Sequence, residues 1–296
     1  MRPDVALLYG LIRLLSLLPL RLLHAAGGGL GRIMDVLGVR SRHIARVNMA
    51  IARPDLPQEQ QHRLAAACLR EQGRSILEMA SVWGGGARRA LGRVREVRGE
   101  EHFQAALESG RGVIIAAPHL GCWELLNYWL CSRTPMAILY RPPHVKALET
   151  LLRKVRGDLA PQQVRAEGAG VRSLYKRLAA GGTVGILPDQ KPRRGEGRYA
   201  PFYGRRALTM VLLPRLAART GATVLFAFAE RLPRGAGYRI HLVPAPEGLD
   251  DADPDRACAA LNHGVEMCVE RAFTQYQWIY RRYTPAAPGE VNPYEA

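Results

Sequence analysis

From about Val94 onward, short apolar runs alternate with longer amphipathic stretches. Val113–Ala117, Met136–Tyr140, Thr183–Leu187, Thr223–Ala229 and Tyr238–Val243 read as strands. Leu120–Ser132, His144–Arg156, Val171–Ala180 and Leu208–Thr220 read as the helices between them. This alternation predicts an α/β fold, a mostly parallel central sheet flanked by helices. Only the short Leu232–Gly237 loop joins the last two strands, which predicts an antiparallel hairpin. Asp253–Thr274 closes the pattern as a helix, and a loop follows Tyr283.

The first third is patterned differently. Ser41–Ala52 and Gln58–Trp83 have helical periodicity, with Leu69, Gly73, Ile76, Leu77 and Ala80 on one face of the second. Pro54–Pro57 turns the chain between them, and Gly84–Gly86 ends the helical region. Val5–Leu23 is apolar but interrupted by Arg13, Pro19 and Arg21. Its run up to Leu18 spans about 14 residues, or roughly 21 Å as helix, short of the ~30 Å hydrocarbon core. An interfacial anchor, a tilted span stretched by snorkelling arginines and a helix buried in the protein's own core all fit. The charges lie inside the apolar run, whereas a signal peptide carries them before it. The expected organisation is a membrane-anchoring helix over 1–30, a helical segment over 31–92, an α/β domain over 93–285 and a tail over 286–296.

Composition adds two constraints. Basic residues exceed acidic ones by 16, and only four of the 42 basic residues are lysines. Arginine forks bind phosphates and carboxylates in bidentate fashion, so anionic lipid headgroups, an acidic protein or nucleic acid would suit this surface. No nucleic-acid motif is present, and aromatic residues do not interleave with the basic ones. The five cysteines have no metal-binding spacing and read as reduced thiols of a cytoplasmic environment. No metal or cofactor is expected.

Chemistry concentrates in GVIIAAPHLGCWELLNYW, where a buried strand runs through Pro118 into His119, Gly121 and Glu124. Loops at the carboxyl ends of strands in α/β folds are where ligands bind. A histidine there, with a carboxylate five residues on, offers a base and its orienting partner for hydroxyl attack. Helix capping is the plainer use of that histidine. Neither a Gly-x-Ser-x-Gly elbow nor a Gly-x-x-x-x-Gly-Lys loop occurs.

His-x-x-x-x-Glu after a strand resembles the motif of glycerolipid acyltransferases, and the chain is similar to the lipid A late acyltransferase family. The supporting blocks are Arg46–Ala50, Tyr140–Pro142, Leu187–Gln190, Ala200–Gly204 with Thr209, and Gln275–Tyr283. The resemblance implies a glycerolipid-acyltransferase-like fold; with the N-terminal helical membrane anchor and with Arg32, Arg40, Arg42 and Arg46 following it, the expected place is the cytoplasmic face of the inner membrane. It implies acyl transfer from acyl-carrier protein to a hydroxyl of a membrane glycolipid, without a cofactor. His119 is then the general base, Glu124 its partner and Arg156 a further catalytic residue. Arg141, Asp189 and Gln190 would contact substrate. Arg193 and Arg194, in a Gly-containing loop, would meet phosphate or be solvated. Two positions depart from the family pattern: Tyr280 stands where a histidine is common, and Lys191 where an acidic residue is usual. Both bear on the acceptor, for which an ornithine lipid, a lysophospholipid or a glycosylated phosphatidylinositol are the alternatives to a lipid A precursor.

Overall fold

The computed structural model describes residues 3–140, 162–165, 168–192 and 195–295. Its centre is the four-residue strand β2 (Val113–Ala116), whose side chains are all buried. Such an uninterrupted apolar run suits a strand covered on both faces. The main sheet also contains β1 (Val94–Arg98), β3 (Met136–Tyr140), β4 (Gln162–Arg165), β5 (Thr183–Ile186), β8 (Thr223–Arg231) and β9 (Tyr238–Pro244), in the order β1-β9-β8-β2-β5-β3-β4. Neighbours pair in parallel except β8 and β9, which form the expected hairpin. A separate antiparallel hairpin joins β6 (Gly197–Phe202) to β7 (Arg205–Met210) through Tyr203 and Gly204. Both turn residues have positive φ, 49° and 75°, as a two-residue hairpin turn of the right twist demands. Leu208–Met210 therefore ends a strand, and the helix expected from Leu208 starts at Leu212.

The two-residue side-chain period of the strands divides the interior in two. On one face Ile114, Ala116, Val184, Ile186, Phe226 and Phe228 pack under the Pro254–Arg271 and Leu212–Thr220 helices. On the other, Val113, Ile115, Leu225 and Ala227 meet helix α6 (Trp123–Arg133) and the long helix α4 (Gln58–Leu91). Helix α4 continues past the expected break at Gly84 and loses helical geometry only at Gly86.

The N-terminal region differs from the single anchoring helix expected over 1–30. It forms two helices, α1 (Pro3–Ser16) and α2 (Leu20–Val36), bent by 117° at the intervening break. Among the described residues no single helix is long and apolar enough to cross a membrane. Pro19 accounts for the break, because its ring lacks an N–H and clashes with the preceding turn. Arg13, the charge inside the apolar run, donates to the Gly84 carbonyl at 2.6 Å, beside the kink of α4. Helix α2 approaches α4 backbone to backbone: a methyl group at Gly31 would overlap the Leu69 carbonyl, and one at Gly73 the Gly27 carbonyl.

A buried polar cluster ties these helices to the sheet. Glu78 of α4 accepts from Arg231 Nε at 2.8 Å, from Arg231 Nη2 at 2.6 Å and from the Tyr238 hydroxyl at 2.9 Å, and lies 3.0 Å from His24 Nε2 of α2. Arg231 also donates to Glu71 at 2.6 Å and to the Ser75 hydroxyl at 2.7 Å. Burial alone would push the Glu78 carboxyl up, but Arg231 and His24 together bring it down to about 2. The cluster satisfies the requirement that a buried charge be paired and hydrogen-bonded.

Candidate functional site

Strand β2 delivers its chain to Ala117, Pro118 and His119, and α6 begins only at Trp123. His119 thus lies in the loop before the helix. Two sequence-distant segments fix that loop. Gly121 has φ 62°, and any Cβ there would collide with the Ala229 carbonyl of β8; only glycine permits this approach. Cys122 N–H donates to that same carbonyl at 2.9 Å. From the other side the C-terminal segment lies along the loop: Gly121 N–H donates to Gln275 O at 3.2 Å, and Gln277 N–H donates to His119 O at 3.0 Å. Gln275 is itself clamped to β8, accepting from Arg231 N–H at 2.8 Å and donating to Arg231 O at 2.9 Å.

Strand β5, the parallel neighbour of β2, ends beside this loop and supplies Asp189 and Gln190. Asp189 is buried and grips His119 twice: Oδ2 accepts from the backbone N–H at 2.9 Å, and Oδ1 lies 2.8 Å from ring Nδ1. Burial pushes the Asp189 carboxyl up, but the His119 charge and these bonds more than offset it, and the net shift is downward. Asp189 therefore stays a carboxylate, and Nδ1 carries the hydrogen between them. Tyr276 also bonds to Asp189; burial, then the Asp189 charge, pushes its phenol well up. On the opposite side of the ring, Gln190 Nε2 lies 3.2 Å from His119 Nε2 and 3.2 Å from Gln277 Oε1. The His119 and Trp123 rings are 5.8 Å apart.

The bond expected from Glu124 to the imidazole is thus made by Asp189. Because His119 precedes the helix, a spacing of five does not place the two side chains along one helical face. Glu124 is buried in the first turn of α6, makes interactions of its own and lines the same cavity as His119. Arg141, Arg156, Arg193 and Arg194 lie outside the described residues.

A cavity of about 740 Å³ opens beside the His119 ring. Its inner part lies between the sheet and α6, walled by Ile115, Ile138, Leu126, Leu130 and Met136. Gly185 falls between Ile115 and Ile138 on adjacent strands. The missing side chain at the centre of that row hollows the sheet surface, and Met136 reaches over the hollow. Lys191, Arg215 and Arg219 supply positive charge elsewhere on the lining. Sequence reasoning missed Gln277, Tyr276, Arg215 and Arg219. The block containing Gln277 and Tyr276 was visible, but its contact with His119 depends on the path of the C-terminal segment. The alternation of basic and apolar positions in Leu212–Thr220 was the available signal for the two arginines.

The sequence pattern of the family described as "Bacterial lipid A biosynthesis acyltransferase" matches residues 4–284. The chain is 27% identical to a lipid A biosynthesis palmitoleoyltransferase of Escherichia coli strain K12, over 96% of this chain and 92% of that one. It is 25% identical to a lipid A biosynthesis lauroyltransferase of the same strain, over the same shares. It is 22% identical to that strain's lipid A biosynthesis myristoyltransferase, over 90% of this chain and 82% of that one.

Proposed function

The chain belongs to the bacterial lipid A biosynthesis acyltransferase family, and on that premise we propose that it moves a fatty acyl group from acyl-carrier protein to a hydroxyl of a lipid A precursor. His119 is the general base. One observation carries this: an imidazole with Nδ1 held by a buried carboxylate and Nε2 turned away from it, on the wall of a cavity with an apolar inner slot. The slot suits a fatty acyl chain, which gains free energy by leaving water for an apolar wall.

The acceptor hydroxyl gives its proton to His119 Nε2 while its oxygen bonds to the thioester carbonyl carbon. The tetrahedral intermediate collapses by breaking the C–S bond. The proton on Nε2 passes to the departing sulfur, which returns His119 to its starting state. Asp189 holds the ring in the required tautomer and stabilises the imidazolium that forms transiently. Lys191, Arg215 and Arg219 place positive charge where phosphates of the acceptor or of the carrier's prosthetic arm would bind. Arg141, Arg193 and Arg194 are assigned to the same anionic groups, and Arg156 to the catalytic step. The net charge of +16 favours docking of an acidic carrier protein.

We place the protein at the cytoplasmic face of the inner membrane. Leu7, Leu11 and Leu14 of α1 are exposed along one helical face, and Leu22, Ile33 and Val36 of α2 are exposed beyond the bend. An apolar stripe of this kind lies in the interface of a bilayer.

The deciding experiment compares lipid A from cells with and without the protein by mass spectrometry, with His119→Ala as a control. Loss of one secondary acyl chain in both the deletion and the variant is expected. Unchanged lipid A would remove the assignment of the acceptor, and full activity of His119→Ala would remove the base.

A further inference from the structure

The hydrogen bonds around His119 Nε2 include one that acyl transfer does not itself require. Gln190 presents one amide nitrogen to two atoms at once, His119 Nε2 and Gln277 Oε1, each at 3.2 Å. An amide –NH2 carries two hydrogens and no acceptor lone pair, whereas a side-chain carbonyl oxygen can only accept. Gln277 Oε1 therefore takes one hydrogen of Gln190, and the other points at His119 Nε2. That nitrogen must then be the unprotonated one, in agreement with Asp189, which accepts the Nδ1 hydrogen at 2.8 Å.

We propose that Gln277 is a positioning residue for the proton-transfer step. Its side-chain oxygen fixes the face that Gln190 turns to His119 and so keeps Nε2 in the acceptor state before the hydroxyl arrives. The inference rests on the reading of His119 as base. Without Gln277, the Gln190 amide is free to rotate and present its oxygen instead. A carbonyl oxygen opposite Nε2 stabilises the protonated nitrogen, which cannot receive a proton. The backbone of Gln277 is anchored beside the ring that its side chain serves, because its N–H donates to His119 O at 3.0 Å. Gln190 and Gln277 are both only partly buried, so truncating either leaves the core intact.

The backbone bond from Gln277 survives any side-chain change, and this separates positioning from a merely structural strap. The test uses the full-length chain with Gln190→Ala, Gln277→Ala, the double substitution and Gln277→Glu. Folding of each is checked by thermal unfolding. Activity is measured with an acyl-carrier-protein thioester and a lipid A precursor. Gln277→Ala is expected to lower kcat by about tenfold with little change in KM. The double variant is expected to be no slower than Gln190→Ala alone, because residues that act through one another are not additive. Gln277→Glu keeps an acceptor oxygen and is expected to recover most of the lost kcat.

Imidazole nitrogen NMR of His119 is expected to show a protonated Nδ1 and an unprotonated Nε2 in the wild type, and a fraction with both nitrogens protonated in Gln277→Ala. Additive losses in the double variant, an unchanged kcat in Gln277→Ala or an unchanged Nε2 signal would each overturn the proposal. If the wild type transfers no acyl group to any lipid, the proposed function fails. The nitrogen measurement needs no substrate and still decides the role of Gln277.

Discussion

The hydroxyl of Tyr280 accepts a 3.0 Å hydrogen bond from the backbone N–H of Lys191. Lys191 follows Gln190 and lines the cavity. The two positions at which the chain departs from the pattern it resembles are therefore in contact and act as one change. Tyr280→Phe removes this acceptor from Lys191 at a net cost of about 1 kcal/mol. The expected result is a KM for the acceptor lipid raised by roughly fivefold, with kcat nearly unchanged. Steady-state kinetics with a fixed acyl donor measure it, and an unaltered KM would remove Tyr280 from the acceptor's surroundings.

Asp189, and not Glu124, holds the imidazole. Asp189→Asn puts an amide against Nδ1 and loses the carboxylate that stabilises the imidazolium. A loss of about 100- to 10,000-fold in kcat is expected, larger than that of Glu124→Gln. The two variants assayed side by side decide the matter: a greater loss from Glu124→Gln would return the orienting role to Glu124.

Gly185 and Met136 both line the cavity, with the Met136 methyl over the glycine, and under the proposed function they border the acyl chain. Met136→Ala removes flexible atoms from the floor of the slot and is expected to shift the transferred chain toward longer species, by about two carbons. Gly185→Val fills the hollow and is expected to favour shorter chains. Competition between acyl donors of different length, read by mass spectrometry, measures both shifts. An unchanged chain-length profile in the two variants would place the acyl chain elsewhere.

Acid stability should report on Glu78. Its carboxyl is held at about 2 in the folded protein, against an ordinary value of 4.5. A depressed carboxyl contributes stability that is complete above the unfolded value and is lost as pH falls toward the folded one. Wild-type stability is thus expected to decline from about pH 4.5 down to 2 through this group. Glu78→Gln should lose that part of the acid dependence and start about 3–5 kcal/mol lower at neutral pH, because Arg231 is left buried without its charge partner. Chemical unfolding across this range is the measurement, and parallel profiles for the two proteins would exclude the cluster as the cause.

Membrane affinity is expected to reside in the exposed leucines of α1 and α2. Replacing Leu7, Leu11, Leu14 and Leu22 with serine should sharply reduce co-sedimentation with vesicles containing anionic phospholipid, without lowering thermal stability. Undiminished binding would assign the membrane contact to another surface.

The strands that build the sheet's centre were legible because β2, β5 and β8 are short runs buried on both faces, β3 is apolar throughout, and β9 keeps an apolar majority after a short loop. Strands β1 (VREVR) and β4 (QQVR) are polar edge strands without that signature. The β6–β7 hairpin lies outside the main sheet, and the apolar run of β7 leads directly into a helix, which hid the boundary at Leu212. His119 was legible as a histidine at a strand end. Its orienting carboxylate was not, because Asp189 reaches it only through the parallel pairing of β2 with β5, and pairing of distant strands leaves no mark in local spacing. Gln277 was hidden for the same reason, since its contact depends on the path of the chain after the last helix.

The clamp from Gln275 and Gln277 onto the His119 loop also has a consequence in time. A ribosome releases the leucine-lined helices first and the clamp among the last segments. The His119 loop therefore gains its last backbone partners only when the C-terminal segment has been made. Under the proposed function, the base is set only in the finished chain, after the exposed leucines of the first two helices have already been made.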